Sequence, residues 1–312
     1  MTQHEPAAHM PQPPETLSAE ARAHMAMVAS AGPPPAMDMQ QMRFFTDQIQ
    51  TMVGAAQRKV HAVTVTDDVI AGVPVRRIKR ESGEIDGSRV LMNLHGGGFA
   101  TDAGSLTENI AIAALSGVEV VAVLYRLAPE YPYPAAVDDA LAVYKALLAD
   151  HHPADIGVYG TSAGAVIGPQ LMMRLKAESL PLPGALGVFS GEPDLVGTAD
   201  SLKIFAASTE SQLLIDCKWA YVGGADPKDP MLSPLFGNLS FFPPTLLVSS
   251  GRDVLLSGTV NLHRKLSDDG VDAQLVVYDA LPHAFWAYIL ASESEDAFRR
   301  MSAFMMKHLG RR

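Results

Sequence analysis

Cysteine is nearly absent from this chain. Cys217 is the one example in 312 residues, which excludes an internal disulfide framework and a multi-cysteine zinc site. Basic residues are also scarce. The 24 Lys and Arg stand against 34 Asp and Glu, a formal net charge of −10. A nucleic-acid binder needs clustered positive charge to meet phosphates, so nucleic acid is not an expected partner. No apolar run approaches the roughly 18 residues that span a bilayer, so membrane insertion is not expected either. Residues 1–15 hold four prolines and no Lys or Arg, unlike the charged start of a secretion signal. The expected location is the cytoplasm. What remains is apolar: 48% hydrophobic and only 19% charged residues, enough to build a core and to exclude wholesale disorder.

The N-terminal part reads as a loose arm over 1–15 followed by two helices. Thr16 is placed to cap a helix over 17–30, with Leu17, Ala21, Met25 and Val28 on one face, and Gly32-Pro33-Pro34-Pro35 ends it. A second helix is expected over 38–58, with Met39, Met42, Phe45, Ile49, Met52, Val53 and Ala56 at helical spacing. Eight of the 15 methionines lie in residues 1–52. Methionine adapts its shape, so these helices suit both core packing and a lid over a pocket.

Beyond residue 60 strands alternate with helices. Strands are expected at Val60–Thr66, Val73–Lys79, Val90–Leu94, Val118–Tyr125, Ile156–Tyr159, Ala185–Phe189, Thr245–Ser249 and Ala273–Tyr278. Helices fit at 104–116, 135–149, 163–178, 255–268 and 291–309. This alternation predicts an α/β fold with a mostly parallel sheet covered on both faces. The stretch 198–222, with Cys217, Trp219 and Tyr221, breaks the pattern and reads as an inserted helical piece. The last strand has strong β-formers and neither proline nor lysine over 273–278, so it reads as an open edge, and a homodimer through it and the C-terminal helix is expected.

Two motifs carry chemistry. Gly160-Thr161-Ser162-Ala163-Gly164 follows an apolar strand and opens a helix, which is the setting of a nucleophile elbow. His95-Gly96-Gly97-Gly98-Phe99 follows strand 90–94. Its bare backbone suits an oxyanion hole built from the N–H groups of Gly97 and Gly98, with Ala163 as third donor. A phosphate loop is disfavoured, since neither G-x-G-x-x-G nor a P-loop lysine is present. His95 is expected to hold that loop. A serine nucleophile needs a base and an orienting acid, and where the serine sits on a nucleophile elbow the chain order is Ser, then Asp or Glu, then His. His283, just past the last strand, is the candidate base; His263 and His308 fall inside helices, where solvent-facing positions are expected. Asp253 after strand 245–249 is the candidate acid, with Glu192 and Asp194 as rivals. Met39, Met42, Phe99 and Trp219 are the candidate pocket-lining residues.

Together with Tyr125-Arg126-Leu127-Ala128-Pro129-Glu130, Asp229-Pro230-Met231-Leu232-Ser233-Pro234-Leu235 and Phe242-Pro243-Pro244-Thr245, these motifs resemble the bacterial hormone-sensitive lipase family of α/β-hydrolases, in its G-T-S-A-G branch. The resemblance covers roughly residues 90–286. It implies an eight-stranded, mostly parallel sheet and a helical cap, with cap helices in 1–58, a catalytic domain over 59–312 and a cap insertion near 198–222. It also implies a cofactor-free, metal-free serine carboxylesterase acting on small short-chain acyl esters, with Ser162, Asp253 and His283 as triad. Amide or carbamate hydrolysis by the same residues, and non-catalytic small-molecule binding, are the alternatives. Ser190-Gly191-Glu192-Pro193-Asp194-Leu195 departs from the family's usual S-P-W-x-D-L run and makes Glu192 an oddity of the pocket. Val254 stands where a proline often follows the acid.

Overall fold

The computed structural model describes residues 12–31, 37–197, 199–205 and 209–310. The arm before residue 12 and the proline run expected to end the first helix lie outside the described residues. Eight strands form one sheet: β1 (Val63–Ile70), β2 (Val73–Arg80), β3 (Val90–Leu94), β4 (Glu119–Val123), β5 (Ile156–Thr161), β6 (Ala185–Phe189), β7 (Thr245–Arg252) and β8 (Ala273–Pro282). Their order is β1-β2-β4-β3-β5-β6-β7-β8. The β1–β2 and β2–β4 pairs are antiparallel and all others parallel. This is the mostly parallel eight-stranded sheet that the sequence predicts.

Every residue of β3, β5 and β6 is buried, because helices cover both faces. The helices are α1 (Ala19–Ala31), α2 (Met39–Gln57), α3 (Asn109–Ser116), α4 (Ala135–Asp150), α5 (Gly164–Ala177), α6 (Asp200–Ile204), α7 (Thr209–Val222), α8 (Leu256–Asp268) and α9 (Ser292–His308). Alternate side chains of each strand go to opposite faces. Val90, Met92 and Leu94 join a core with Val143 and Tyr144 of α4, Leu171 of α5 and Leu262 of α8. Leu91, Val120 and Ala122 join another with Ile110 of α3 and Phe298, Met301 and Met305 of α9.

Several boundaries differ from the sequence reading, each for a local reason. β1 begins at Val63, because the N–H groups of Val60 and His61 still donate to Gln57 at the end of α2. It then runs through Asp67 and Asp68, which look like turn residues but pair with Arg76 and Arg77 across the strand. α3 starts at Asn109 and not 104, since the Asp102 carboxylate captures the N–H groups of Gly104 and Ser105 in a turn. Ser18, not Thr16, caps α1: its Oγ accepts from Ala21 N at 3.1 Å, while Thr16 donates to Asp279. Leu17 and Ala21 are buried, but Val28 is exposed, so only the first turns of α1 meet the core.

α2 is capped by reciprocal bonds between Asp38 and Gln41, which satisfy two donors at its start. Its inward face is rotated from the apolar stripe expected. Phe45 and Met52 are exposed, whereas Gln50 is buried. The reason is polar: Gln50 donates to Asp102 O at 2.6 Å and accepts from Leu106 N at 3.1 Å. Arg43 adds a second anchor, donating to Ala100 O at 2.8 Å and Ala128 O at 3.0 Å and pairing with Glu130 at 2.7 Å. Arg43→Ala removes these bonds to the segment after the glycines. The expected loss is about 1–2 kcal/mol of stability, seen as a lower Tm by scanning calorimetry, and a higher KM from a looser α2. An unchanged Tm and KM would show that α2 is held without Arg43.

Candidate active site

β5 passes into α5 through Ser162, whose φ is +56°. That left-handed conformation is unfavourable for a serine and survives only where the surroundings impose it. Here Ser162 N donates to Phe189 O of β6 at 2.9 Å. A Cβ on Gly164 would collide with the Leu94 carbonyl of β3, so the helix can start this close to the sheet only with glycine there. The turn lifts the Ser162 hydroxyl off the end of the strand.

Two other strand ends bring its partners. His283 follows β8, and its Nε2 lies 2.9 Å from Ser162 Oγ. Its Nδ1 lies 2.7 Å from Oδ1 of Asp253, which follows β7. Asp253 is fully buried and accepts from Ser249 Oγ at 2.8 Å and Leu255 N at 2.9 Å. Burial opposes its charge, but His283, the Ser190 hydroxyl and the Leu255 N–H outweigh burial and hold the carboxyl below its ordinary range. The Tyr288 hydroxyl donates to His283 O at 2.5 Å and fixes the loop. Of the three candidate carboxylates, Asp253 has its Oδ1 2.7 Å from the histidine ring. Of the other histidines, His263 is half-buried in α8. His308 is buried beside Phe304 in α9, against the expectation of a solvent-facing position, because it lies on the apolar face of that helix.

The loop after β3 faces the same hydroxyl. Gly97 has φ +115° and Gly98 φ +60°, and a Cβ on Gly97 would strike Thr101 O. Among the described turns and loops, the N–H groups of Gly97, Gly98 and Ala163 donate to no carbonyl. His95 has the structural role expected. It stacks on Tyr125 at 4.1 Å, its Nδ1 is 2.7 Å from Gly96 O, and its own carbonyl accepts from Tyr125 Oη at 2.7 Å. Behind the loop Glu108 is buried, and its carboxyl is pushed up to about 8, mainly by loss of water.

A strand–elbow–helix serine, a histidine after the last strand and an acid after the one before it, on this sheet order, are the constellation of one fold family. Residues 91–287 match the family described as alpha/beta hydrolase fold. The chain belongs to the α/β-hydrolase family. Within it the chain is a hormone-sensitive-lipase-like member. It is 32% identical to a protein named esterase from Acinetobacter venetianus over 226 residues, covering 69% of this chain and 73% of that one. It is 30% identical to an ethyl acetate hydrolase of Pseudomonas putida over 237 residues, 70% of this chain and 73% of the other. The crystal structure of an esterase from the bacterial hormone-sensitive lipase family superposes with a TM-score of 0.83 at 29% identity, over 94% of this chain and 99% of its own.

In this hydrolase two cavities meet at Ser162. One, of about 440 Å³, is lined by Phe99, Ala163, Val166, Glu192, Lys218 and Leu255 among others. The second, of about 820 Å³, is lined by Met42, Gly97, Cys217, His283, Ala287 and Tyr288 among others. Phe99 lines the first and Met42 the second. Met39 and Trp219 line neither cavity. Trp219 is 48% exposed, with Lys218 Nζ 4.9 Å from its ring centroid. Cys217 and Tyr221, four residues apart on α7, take the inward face, and Tyr221 stacks on Phe99 at 3.9 Å. Sequence reasoning missed Tyr288, Ser249 and Cys217. Each acts through a tertiary contact, and only the nearness of Tyr288 to His283 in the chain hinted at one of them.

Ser249→Ala removes one donor from a buried carboxylate, with an expected cost of about 1.5–3 kcal/mol at pH 7. Asp253 has a depressed pKa in the folded state, so its stabilising contribution is present above the unfolded value near 4 and is lost as pH falls through the lower folded value. Without the serine donor the folded pKa moves up and that contribution shrinks. The Tm gap between wild type and variant is therefore expected to be full at pH 7 and to narrow below about pH 4. A gap independent of pH would assign the loss to packing instead.

Proposed function

We propose that the protein hydrolyses short-chain acyl esters through Ser162, His283 and Asp253. The observation that carries this reading is the unbroken hydrogen-bonded row from Asp253 Oδ1 through His283 to Ser162 Oγ, with spacings of 2.7 and 2.9 Å. His283 Nε2 takes the hydroxyl proton as Ser162 Oγ attacks the ester carbonyl. Asp253 keeps the other ring nitrogen protonated and stabilises the cation. The carbonyl oxygen, now negative, is received by the N–H groups of Gly97, Gly98 and Ala163. Such preorganised donors contribute about 3 kcal/mol each to the transition state. His283 then gives the proton to the leaving alcohol. Water repeats the sequence on the acyl-enzyme and releases the acid.

The proton path also assigns the two cavities. The alcohol oxygen must lie within reach of His283 Nε2, so the alcohol arm occupies the cavity that His283 lines. The acyl arm occupies the other, which Ala163 and Val166 line. In this reading α2 and α7 form part of a cap that closes the cleft over a catalytic domain of 59–312. The names of the relatives, esterase and ethyl acetate hydrolase, support an ester over an amide as substrate.

Ser162→Ala and His283→Ala are each expected to lower kcat by several orders of magnitude on chromogenic acyl esters, with far-ultraviolet circular dichroism unchanged. Asp253→Asn is expected to fall by about 10⁴ through the wrong imidazole tautomer. An acetate-to-dodecanoate series run beside a matched anilide separates esterase from lipase, amidase and binder. Wild-type turnover in Asp253→Asn, or cleavage of the anilide alone, would overturn the proposal.

We also infer that two copies pair through β8. It is the end strand of the sheet, with Val277 46% exposed and neither lysine nor an early proline to blunt pairing. Light scattering at micromolar concentration is expected to give about twice the 33.3 kDa chain mass; a single-chain mass there refutes the pairing.

A further inference from the structure

Glu192 takes no part in the reaction just described, yet it lines the same cavity as Ser162, with Asp194, Leu195 and Lys218 beside it. The residue is only 6% exposed. Among the described residues nothing donates to its Oε1, while the carboxyl receives the Ala199 N–H. A buried polar oxygen without a partner is unfavourable, so its retention points to a group supplied from outside the chain. The fold also leaves room for this side chain: a Cβ on Gly258 of α8 would stand 2.5 Å from Glu192 Cβ and Cγ. Burial, with the charge of Asp194 adding and that of Lys218 opposing, pushes the carboxyl up to about 8. Near neutral pH it is therefore largely an uncharged acid that can both donate and accept.

We propose that Glu192 selects esters whose acyl arm carries a hydroxyl group, which pairs with its carboxyl in the wall of the Ser162 cavity. A hydroxyl is both donor and acceptor, so it matches the acid and the carboxylate form alike. A plain alkyl arm leaves Oε1 unpaired. A carboxylate arm meets the charge of Asp194, and an ammonium arm meets that of Lys218. A site built around a buried polar group discriminates against the analogue that lacks the matching group far more strongly than an apolar pocket discriminates by size.

The proposal rests on the ester-hydrolase reading and on the acyl arm's place in this cavity, and the test separates the two. Hydrolysis of ethyl butyrate and ethyl 3-hydroxybutyrate is followed by titration of the released acid, and the ratio of kcat/KM values is formed within each variant. The wild type is expected to favour the hydroxy ester by about tenfold or more. Glu192→Leu is expected to remove that preference, and Glu192→Gln, which keeps a donor and an acceptor, to retain most of it. A wild-type ratio near one, an unchanged ratio in Glu192→Leu, or a stronger preference for monoethyl succinate would overturn the selection while leaving ester hydrolysis intact. Hydrolysis of neither ester by the wild type would overturn the functional reading and this proposal together. Should Glu192→Leu fail to fold, the wild-type ratio alone still decides whether a hydroxyl is preferred.

Discussion

The left-handed turn at Ser162 costs about 1–3 kcal/mol for a residue with a side chain, and the surrounding sheet is built so that no cheaper turn fits. Phe189 O of β6 takes the serine's N–H on one side. On the other, α5 presses against the Leu94 carbonyl of β3 closely enough to require Gly164. Both neighbours belong to fully buried parallel strands, which have no freedom to move away. The strain is therefore carried by the central sheet and not by the loop itself. Everything chemical in the cleft is placed relative to that hydroxyl.

Asp253, Glu108, Glu192 and Asp194 are buried around it, and their surroundings give the first three different character. Asp253 sits beside His283, which together with the Ser190 hydroxyl and the Leu255 N–H outweighs desolvation and keeps it charged. Glu108, behind the glycine loop, has a weak contact from Asn93 at 3.4 Å and the nearby charge of Asp102, so burial prevails and raises its pKa. Glu192 is raised for the same main reason, with Asp194 adding to it. Proton affinity here follows the number and sign of neighbours, not the residue type.

Over the cleft, α2 is attached by polar contacts more than by apolar burial, whereas α7 packs Tyr221 and Val222 into the main core. α2 is held by Gln50 and Arg43 to backbone around the glycine loop, while Phe44, Phe45 and Met52 face outward. α7 contributes Cys217 and Tyr221 inward and leaves Trp219 outside. Hydrogen bonds to carbonyls fix direction and register where a methionine-rich surface alone would slide. This is why a periodicity built on apolar residues misjudged which face of α2 turns inward.

The mostly parallel sheet, the serine and the histidine were legible in the sequence, because each depends on local rules. Short apolar runs alternating with helices, a serine between small residues at a strand–helix junction, three successive glycines after a strand, and a histidine past the last strand are all readable along the chain. Asp253 was the preferred acid, but Glu192 and Asp194 also stood in loops after a strand and stayed as rivals. The choice depended on which strand end lies next to His283, and that is set by β7 pairing with β8. The same holds for Cys217 against Trp219, two residues apart on one helix, and for Gln50 against Met52. Residue types and spacing pointed by themselves to a candidate nucleophile, a candidate base and a candidate anion-binding loop. Only the tertiary structure decided which acid, which helix face and which cavity wall meet them, because those choices are made by contacts between segments far apart in the chain.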